Sequence, residues 1–235
     1  MNSIPNTNTL KLILFDVDGT LIRSAGAGRI AMNRAFEKVF GVTNGFESVP
    51  MMGRTDPIIL KEVMRAHDIE WSAFAVQQFQ TEYFPMLDEE LKVPRPGVRI
   101  CPGIESLLFS LKMMPHCYLG LLTGNWKLGA YSKLRHFKLN DYFMFGAFAD
   151  DKEDRNRLVP VAIDRFKQKT GHSIDITNVF VIGDTVLDIE CGRVHGAKTI
   201  AVATGIQSFD VLNRENPDYC FHNFSDLPRV LAIFQ

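Results

Sequence analysis

Short apolar runs recur along the chain, each ending at residues that favour a turn. The first, residues 10–15 (LKLILF), stops at DVDGT, where Asp and Gly signal a turn; it predicts a buried strand ending at Asp16. Residues 118–122 (YLGLL), 179–182 (VFVI) and 199–202 (TIAV) repeat the pattern, separated by amphipathic stretches of helix length. Strands of this kind, alternating with helices, belong to a parallel sheet whose crossovers lie on its two faces.

One interval breaks the rhythm. Between Phe15 and Tyr118 the chain is far longer than a single crossover helix needs. Within it, residues 30–40, 58–67 and 74–91 carry apolar side chains at three- and four-residue spacing, and Gly41 stands where a helix would stop. A helical module is therefore inserted after the first strand. The small residues SAGAG (24–28) and the proline-punctuated VPRPGVRICPG (93–103) mark its edges and serve as hinges or linkers. The expected architecture is α/β: a Rossmann-like parallel-sheet core of residues 1–22 and 96–235, and a small α-helical cap of residues 23–95.

Composition narrows the class. The chain has 235 residues, 46% of them hydrophobic and 23% charged, with a formal net charge of -1, the profile of an ordinary globular protein. No Lys- and Arg-rich run interleaved with aromatics favours a nucleic-acid partner, and no apolar run is long enough for a membrane span. Cys101, Cys117, Cys191 and Cys220 are widely spaced and form no CxxC pair, which argues against both a zinc site and a disulfide scaffold. With no secretory leader in MNSIPNTNTL, a cytoplasmic setting is expected. The composition leaves monomer and homodimer both open.

Ligands of open parallel sheets collect at the carboxyl ends of the strands. Three such ends carry reactive or phosphate-binding side chains: Asp16 and Asp18 after the first strand; Thr123, Gly124 and Asn125 after the second; Asp184 and Asp188 after the third. Asp16 and Asp18 are two apart, so in extended geometry their carboxylates share a side, and one can attack while the other moves protons. Asp184 and Asp188 have the spacing of neighbours on the first turn of a helix, where the dipole favours carboxylates. Four converging carboxylates repel one another unless a cation is present, and Mg2+ prefers such oxygen ligands.

These residues resemble the haloacid dehalogenase superfamily, in its phosphoglycolate phosphatase-like branch with a helical cap. FDVDGTL (15–21) is similar to the family's first motif, LLTGN (121–125) to its second and VIGDTVLDI (181–189) to its fourth. The resemblance implies a phosphatase in which Asp16 attacks phosphorus to give an aspartyl-phosphate, and Asp18 acts first as general acid and then as general base. It implies that Thr123 binds a phosphoryl oxygen with help from Gly124 and neighbouring amides. It also implies that Asp16, the backbone carbonyl of Asp18, and Asp184 hold Mg2+, with Asp188 ligating or orienting a bound water. The expected partner is a small phosphorylated substrate.

The family's third motif usually supplies a lysine; here the segment reads DDKEDRNRLVPVAI (150–163). Arg155 is the favoured cation, with Lys152 and Arg157 as rivals, because a guanidinium can bridge a carboxylate and a phosphoryl oxygen. In MMGRTDP (51–57), Arg54 is placed to reach a polar group of the substrate, as is Asn125 from the second motif, while Arg23 is a weaker candidate. His116, His136 and His195 show no metal spacing. A phosphomutase using the same acids, and a non-catalytic phosphate sensor, are the competing functions. A receiver domain fits poorly, since receivers lack a long insertion.

Overall fold

The computed structural model describes residues 9–235; residues 1–8, which the sequence reading assigns to the core, lie outside the described residues. Six parallel strands form one sheet: β1 (Lys11–Phe15), β4 (Cys117–Leu122), β5 (Phe145–Ala147), β6 (Val179–Gly183), β7 (Lys198–Val202) and β8 (Tyr219–Phe221), in the order β5-β4-β1-β6-β7-β8. The strand that opens the chain therefore sits in the interior, flanked by β4 and β6. Leu12, Ile13, Leu14 and Phe15 are fully buried, as a strand covered on both faces requires.

The two faces have separate apolar layers. Ile13, Phe15, Leu119 and Leu121 pack with α4 (Ile104–Lys112) and α5 (Lys127–His136), and α9 (Leu227–Leu231) contributes Val230. Leu12, Leu14, Leu122 and Val181 pack on the other side with Leu158, Ala162 and Phe166 of α6 (Leu158–Thr170) and Cys191 of α7 (Val186–Arg193). The alternation of successive strand residues between these layers is the period-2 geometry of a strand. The expected α/β architecture, a parallel sheet with helices on both faces, is thus the observed one.

Between β1 and β4 stand α1 (Ala27–Phe40), α2 (Asp56–Ala66) and α3 (Ala73–Lys92). They share an apolar cluster of their own, built on Phe36, Phe46, Leu60, Val63, Phe79, Tyr83 and Leu87, into which the core places Trp126 and Ala149. Its aromatic rings meet edge-on and stacked at centroid distances such as 5.5 Å for Phe36–Phe46 and 5.7 Å for Phe79–Tyr83. Helix α3 tolerates Pro85 in its interior. Ser72 caps α3 by accepting the Ala75 amide, and Gly41 closes α1 in the left-handed conformation at φ 73.

The sequence reading treats residues 24–28 and 93–103 as linkers. The structure adds a pairing: β2 (Ile22–Arg23) and β3 (Arg99–Ile100) form a two-stranded antiparallel ribbon, so the chain enters and leaves the helical insertion side by side. Two residues each are too few to register as strands in a hydrophobic pattern. The same holds for the short edge strands β5 and β8. Helix α8 (Phe209–Arg214) completes the fold between β7 and β8.

Candidate active site

Strand β1 ends at Phe15, and the Asp16 amide still donates to the Ile182 carbonyl of β6 at 2.9 Å, so the ladder fixes the Asp16 backbone. The chain then turns sharply. Gly19 adopts φ 87, and its amide donates to the Ile22 carbonyl at 2.8 Å. A Cβ at Gly19 would lie 2.3 Å from Asp184 Oδ2, and one at Gly205 only 1.7 Å from the same oxygen. The Asp184 carboxylate therefore occupies a cradle that only glycines leave open. Thr20 Oγ1 donates to its other oxygen at 3.3 Å.

Two buried cations divide the acids between them. Arg155, just ahead of α6, donates through Nη2 to Asp16 Oδ1 at 2.9 Å and to Asp188 Oδ1, and through Nη1 to the Gly53 carbonyl at 3.1 Å. Lys133, on α5, donates to Asp18 Oδ2 and to Asn125 Oδ1, the latter at 2.7 Å. Burial pushes the Asp16 carboxyl up to about 7 in spite of the pull of Arg155, and Asp188 and Asp18 add to the rise. Burial likewise holds Asp184 well above the usual carboxylate range, reinforced by the charges of Asp16 and Asp188. For Arg155, burial opposes the charge, but Asp188 and Asp16 outweigh it and keep the guanidinium protonated.

Of the three basic residues in the 150–163 segment, Arg155 is buried among these acids, whereas Lys152 and Arg157 are exposed. The Arg155 Nε is the one buried side-chain donor or acceptor without a partner among the described residues. A buried orphan donor costs about 1–3 kcal/mol until something accepts from it.

The four acids of the sequence reading stand close enough to act on one another, but they are held differently. Asp18 is drawn to Lys133, and Asp188 has both oxygens engaged, one by Arg155 and the other by the Thr185 hydroxyl at 2.6 Å and amide at 3.0 Å. Asp188 is the third residue of α7 in a capping box with Thr185, whereas Asp184 precedes the helix, so the two are not neighbours on its first turn. Nor do Asp16 and Asp18 act as one pair, since each has its own cation. Among the described residues, no three His, Cys, Asp or Glu side chains gather as a metal-binding group. What stays unpaired by a basic side chain is Asp184, whose carboxyl is raised by burial and then by the charges of Asp16 and Asp188.

Over these strand ends lies a cavity of about 370 Å³, lined by Asp16, Asp18, Asp184 and Arg155 from the core and by residues of α1, α3 and the 50–56 loop from the insertion. That loop is fastened to the core backbone. The Asp56 amide donates to the Gly124 carbonyl at 2.7 Å, the Trp126 amide to Asp56 Oδ2 at 2.8 Å, and the Thr55 hydroxyl to the Glu153 carbonyl at 2.6 Å. Gly124 is required here, since a Cβ would stand 2.2 Å from the Arg54 carbonyl oxygen. Thr123 is buried beside it and accepts the Asn125 amide at 3.3 Å. The Arg54 guanidinium, by contrast, is engaged by the Pro50 carbonyl at 2.8 Å and by Glu62, although Arg54 lines the cavity. Arg23 falls in β2 and does not line it.

Lys133, Asp56, Tyr83 and Arg29 also line the cavity, and the sequence reading named none of them as site residues, although Asp56 falls within MMGRTDP. Lys133 did leave a trace: it follows Ala130 by three residues and precedes Leu134, so a lysine occupies the buried stripe of α5. Burial pushes the Asp56 carboxyl from 3.8 to about 7 against the pull of Lys133 and the Trp126 amide. The folded protein thus keeps a proton that the unfolded chain releases earlier, and stability falls as pH rises through the window from 3.8 to about 7. Asp56→Asn retains an oxygen for the Trp126 amide. It is expected to remove a decline on the order of a few kcal/mol, measured as urea midpoints of variant and parent at both ends of that window. Parallel pH dependences would refute this.

A family model described as haloacid dehalogenase-like hydrolase matches residues 13–202. The chain is 22% identical to a glyceraldehyde 3-phosphate phosphatase of Pyrococcus furiosus over 96% of its own length and 93% of the relative's. It is 23% identical to a phosphoglycolate phosphatase of Pseudomonas savastanoi, covering 88% of this chain and 74% of that one. Its fold superposes on that of CbbY from Rhodobacter sphaeroides, solved in complex with phosphate, with a TM-score of 0.70 at 15% identity over 93% and 96% of the two chains.

Proposed function

The chain belongs to the haloacid dehalogenase-like hydrolases, and on that footing we propose that it is a magnesium-dependent phosphatase working through Asp16. It is a phosphoric monoester hydrolase acting on small phosphorylated compounds. The observation that carries the finer reading is the pairing of acids and cations at the floor of the cavity: Asp16 with Arg155, and Asp18 with Lys133.

In this reading, an Asp16 oxygen attacks phosphorus and the leaving-group oxygen departs with a proton from Asp18. Asp18, now a carboxylate, takes a proton from the water that hydrolyses the aspartyl-phosphate. Arg155 damps the repulsion between Asp16 and the incoming phosphate, and its orphaned Nε–H offers one further donor. Thr123 and the amides near Val17, Asp18 and Gly124 receive phosphoryl oxygens. Residues 23–95 act as a cap over a core of residues 1–22 and 96–235, excluding water during transfer. Their separate apolar cluster and the ribbon of β2 with β3 support that division.

The donor set fits magnesium. Asp16 raises the Asp184 carboxyl, both acids line the cavity at the strand ends, and two carboxylates with the Asp18 carbonyl leave room for waters and phosphate. Bound there, the ion supplies charge stabilisation to phosphoryl oxygens. Hydrolysis of p-nitrophenyl phosphate is expected to fall to background in excess chelator and to return on adding Mg2+. Full turnover in chelator would overturn the metal assignment.

A further inference from the structure

Four cationic side chains line the cavity, and their partners differ. Arg155 is held by Asp16 and Asp188, Lys133 by Asp18 and Asn125, and Arg54 by Glu62 and the Pro50 carbonyl. Arg29, on the first turn of α1, has neither an ion pair nor a side-chain hydrogen bond among the described residues, although it is only partly exposed. A guanidinium left unpaired at the wall of a cavity is a ready site for an anion, with donors arranged as a fork.

The small residues ahead of it let α1 come close to the cavity floor. A Cβ at Gly26 would meet nothing within 4 Å, and one at Gly28 would lie 3.7 Å from Lys133 Nζ. Arg29 follows Gly28 on α1 and lines the same cavity as Lys133.

We infer that Arg29 binds an anionic substituent on the leaving group, so that the preferred substrate is a phosphate monoester carrying a second anion such as a carboxylate. The inference rests on the phosphatase reading above and narrows its substrate class. The two phosphatase relatives bracket the choice: phosphoglycolate releases an anionic alcohol, glyceraldehyde 3-phosphate an uncharged one. The Arg54 side chain, the candidate from the sequence, is paired with Glu62, whereas Arg29 has no such partner among the described residues.

The test reads binding and turnover separately. Calorimetry compares phosphonopropionate with hydroxypropylphosphonate, unreactive mimics of phosphoglycolate and of hydroxyethyl phosphate, in the magnesium-loaded protein. A charge-assisted contact should favour the carboxylate ligand by about ten- to a hundredfold. Arg29→Met should erase that ratio, and Arg29→Lys should keep part of it. The same ratio is then taken for kcat/KM of the two esters. Equal affinity for the two mimics, or an unchanged ratio in Arg29→Met, overturns the inference. Arg29-dependent binding without hydrolysis of either ester would instead sink the phosphatase reading alone, and hydrolysis of both without preference would sink only the role of Arg29.

Discussion

Asp16→Asn is expected to lower turnover by a factor on the order of 10⁴ or more, while the protein stays folded and melts at the same temperature or higher. The first half follows from chemistry: an amide oxygen is a poor nucleophile, and no neighbouring carboxylate can substitute. Asp18 is tied to Lys133, Asp188 to Arg155 and Thr185, and Asp184 lies in its glycine cradle. The second half follows from burial, which raises the Asp16 carboxyl to about 7 and so makes its ionised form costly to fold at neutral pH. An uncharged isostere removes that cost but keeps an oxygen for the Arg155 Nη2. Steady-state assays with thermal melts decide the matter. Retained turnover would remove Asp16 as nucleophile, and a collapsed fold would show that its charge is structural.

Arg155→Met should destabilise the protein by about 3–5 kcal/mol, since it strands two buried carboxylates that now share one guanidinium. It also deletes the Nη1 contact to the Gly53 carbonyl, one of the ties between the 50–56 loop and the core. Turnover should fall with it, because nothing else damps the repulsion between Asp16 and phosphate. Adding Asp188→Asn to the same chain should recover part of the lost stability and none of the activity. The double variant separates the two roles: urea denaturation reads the buried charges, and kcat reads the guanidinium. Additive losses in stability would mean that Arg155 and Asp188 do not interact as drawn.

Much of this was legible in the sequence for a simple reason. Residues 12–15 are apolar because β1 is buried on both faces, and Asp16 follows where the strand ends, so the apolar run and the acid after it mark one another. The three long inserted helices carry their own periodicity, and the structure extends them only by a residue or a few at their ends. Lys133 and Arg29 escaped because a helix presents side chains by rotation about its axis, and which face meets a cavity depends on packing between elements distant in sequence. Asp56 and Asp188 differ in kind. Their carboxylates bind backbone amides or cap a helix, and an acid in that role looks the same in a sequence as one that binds a metal.

The short ribbon of β2 with β3 has a consequence for how such a molecule can be rebuilt. Because Ile22 stands opposite Ile100, everything between them is closed at its base by the core's own hydrogen bonds. The sheet is therefore indifferent to the length of what is spliced there, since lengthening a loop whose ends are already pinned adds little entropic cost. Exchange of the whole module at that seam changes what enters the cavity without disturbing the floor on which Asp16 stands.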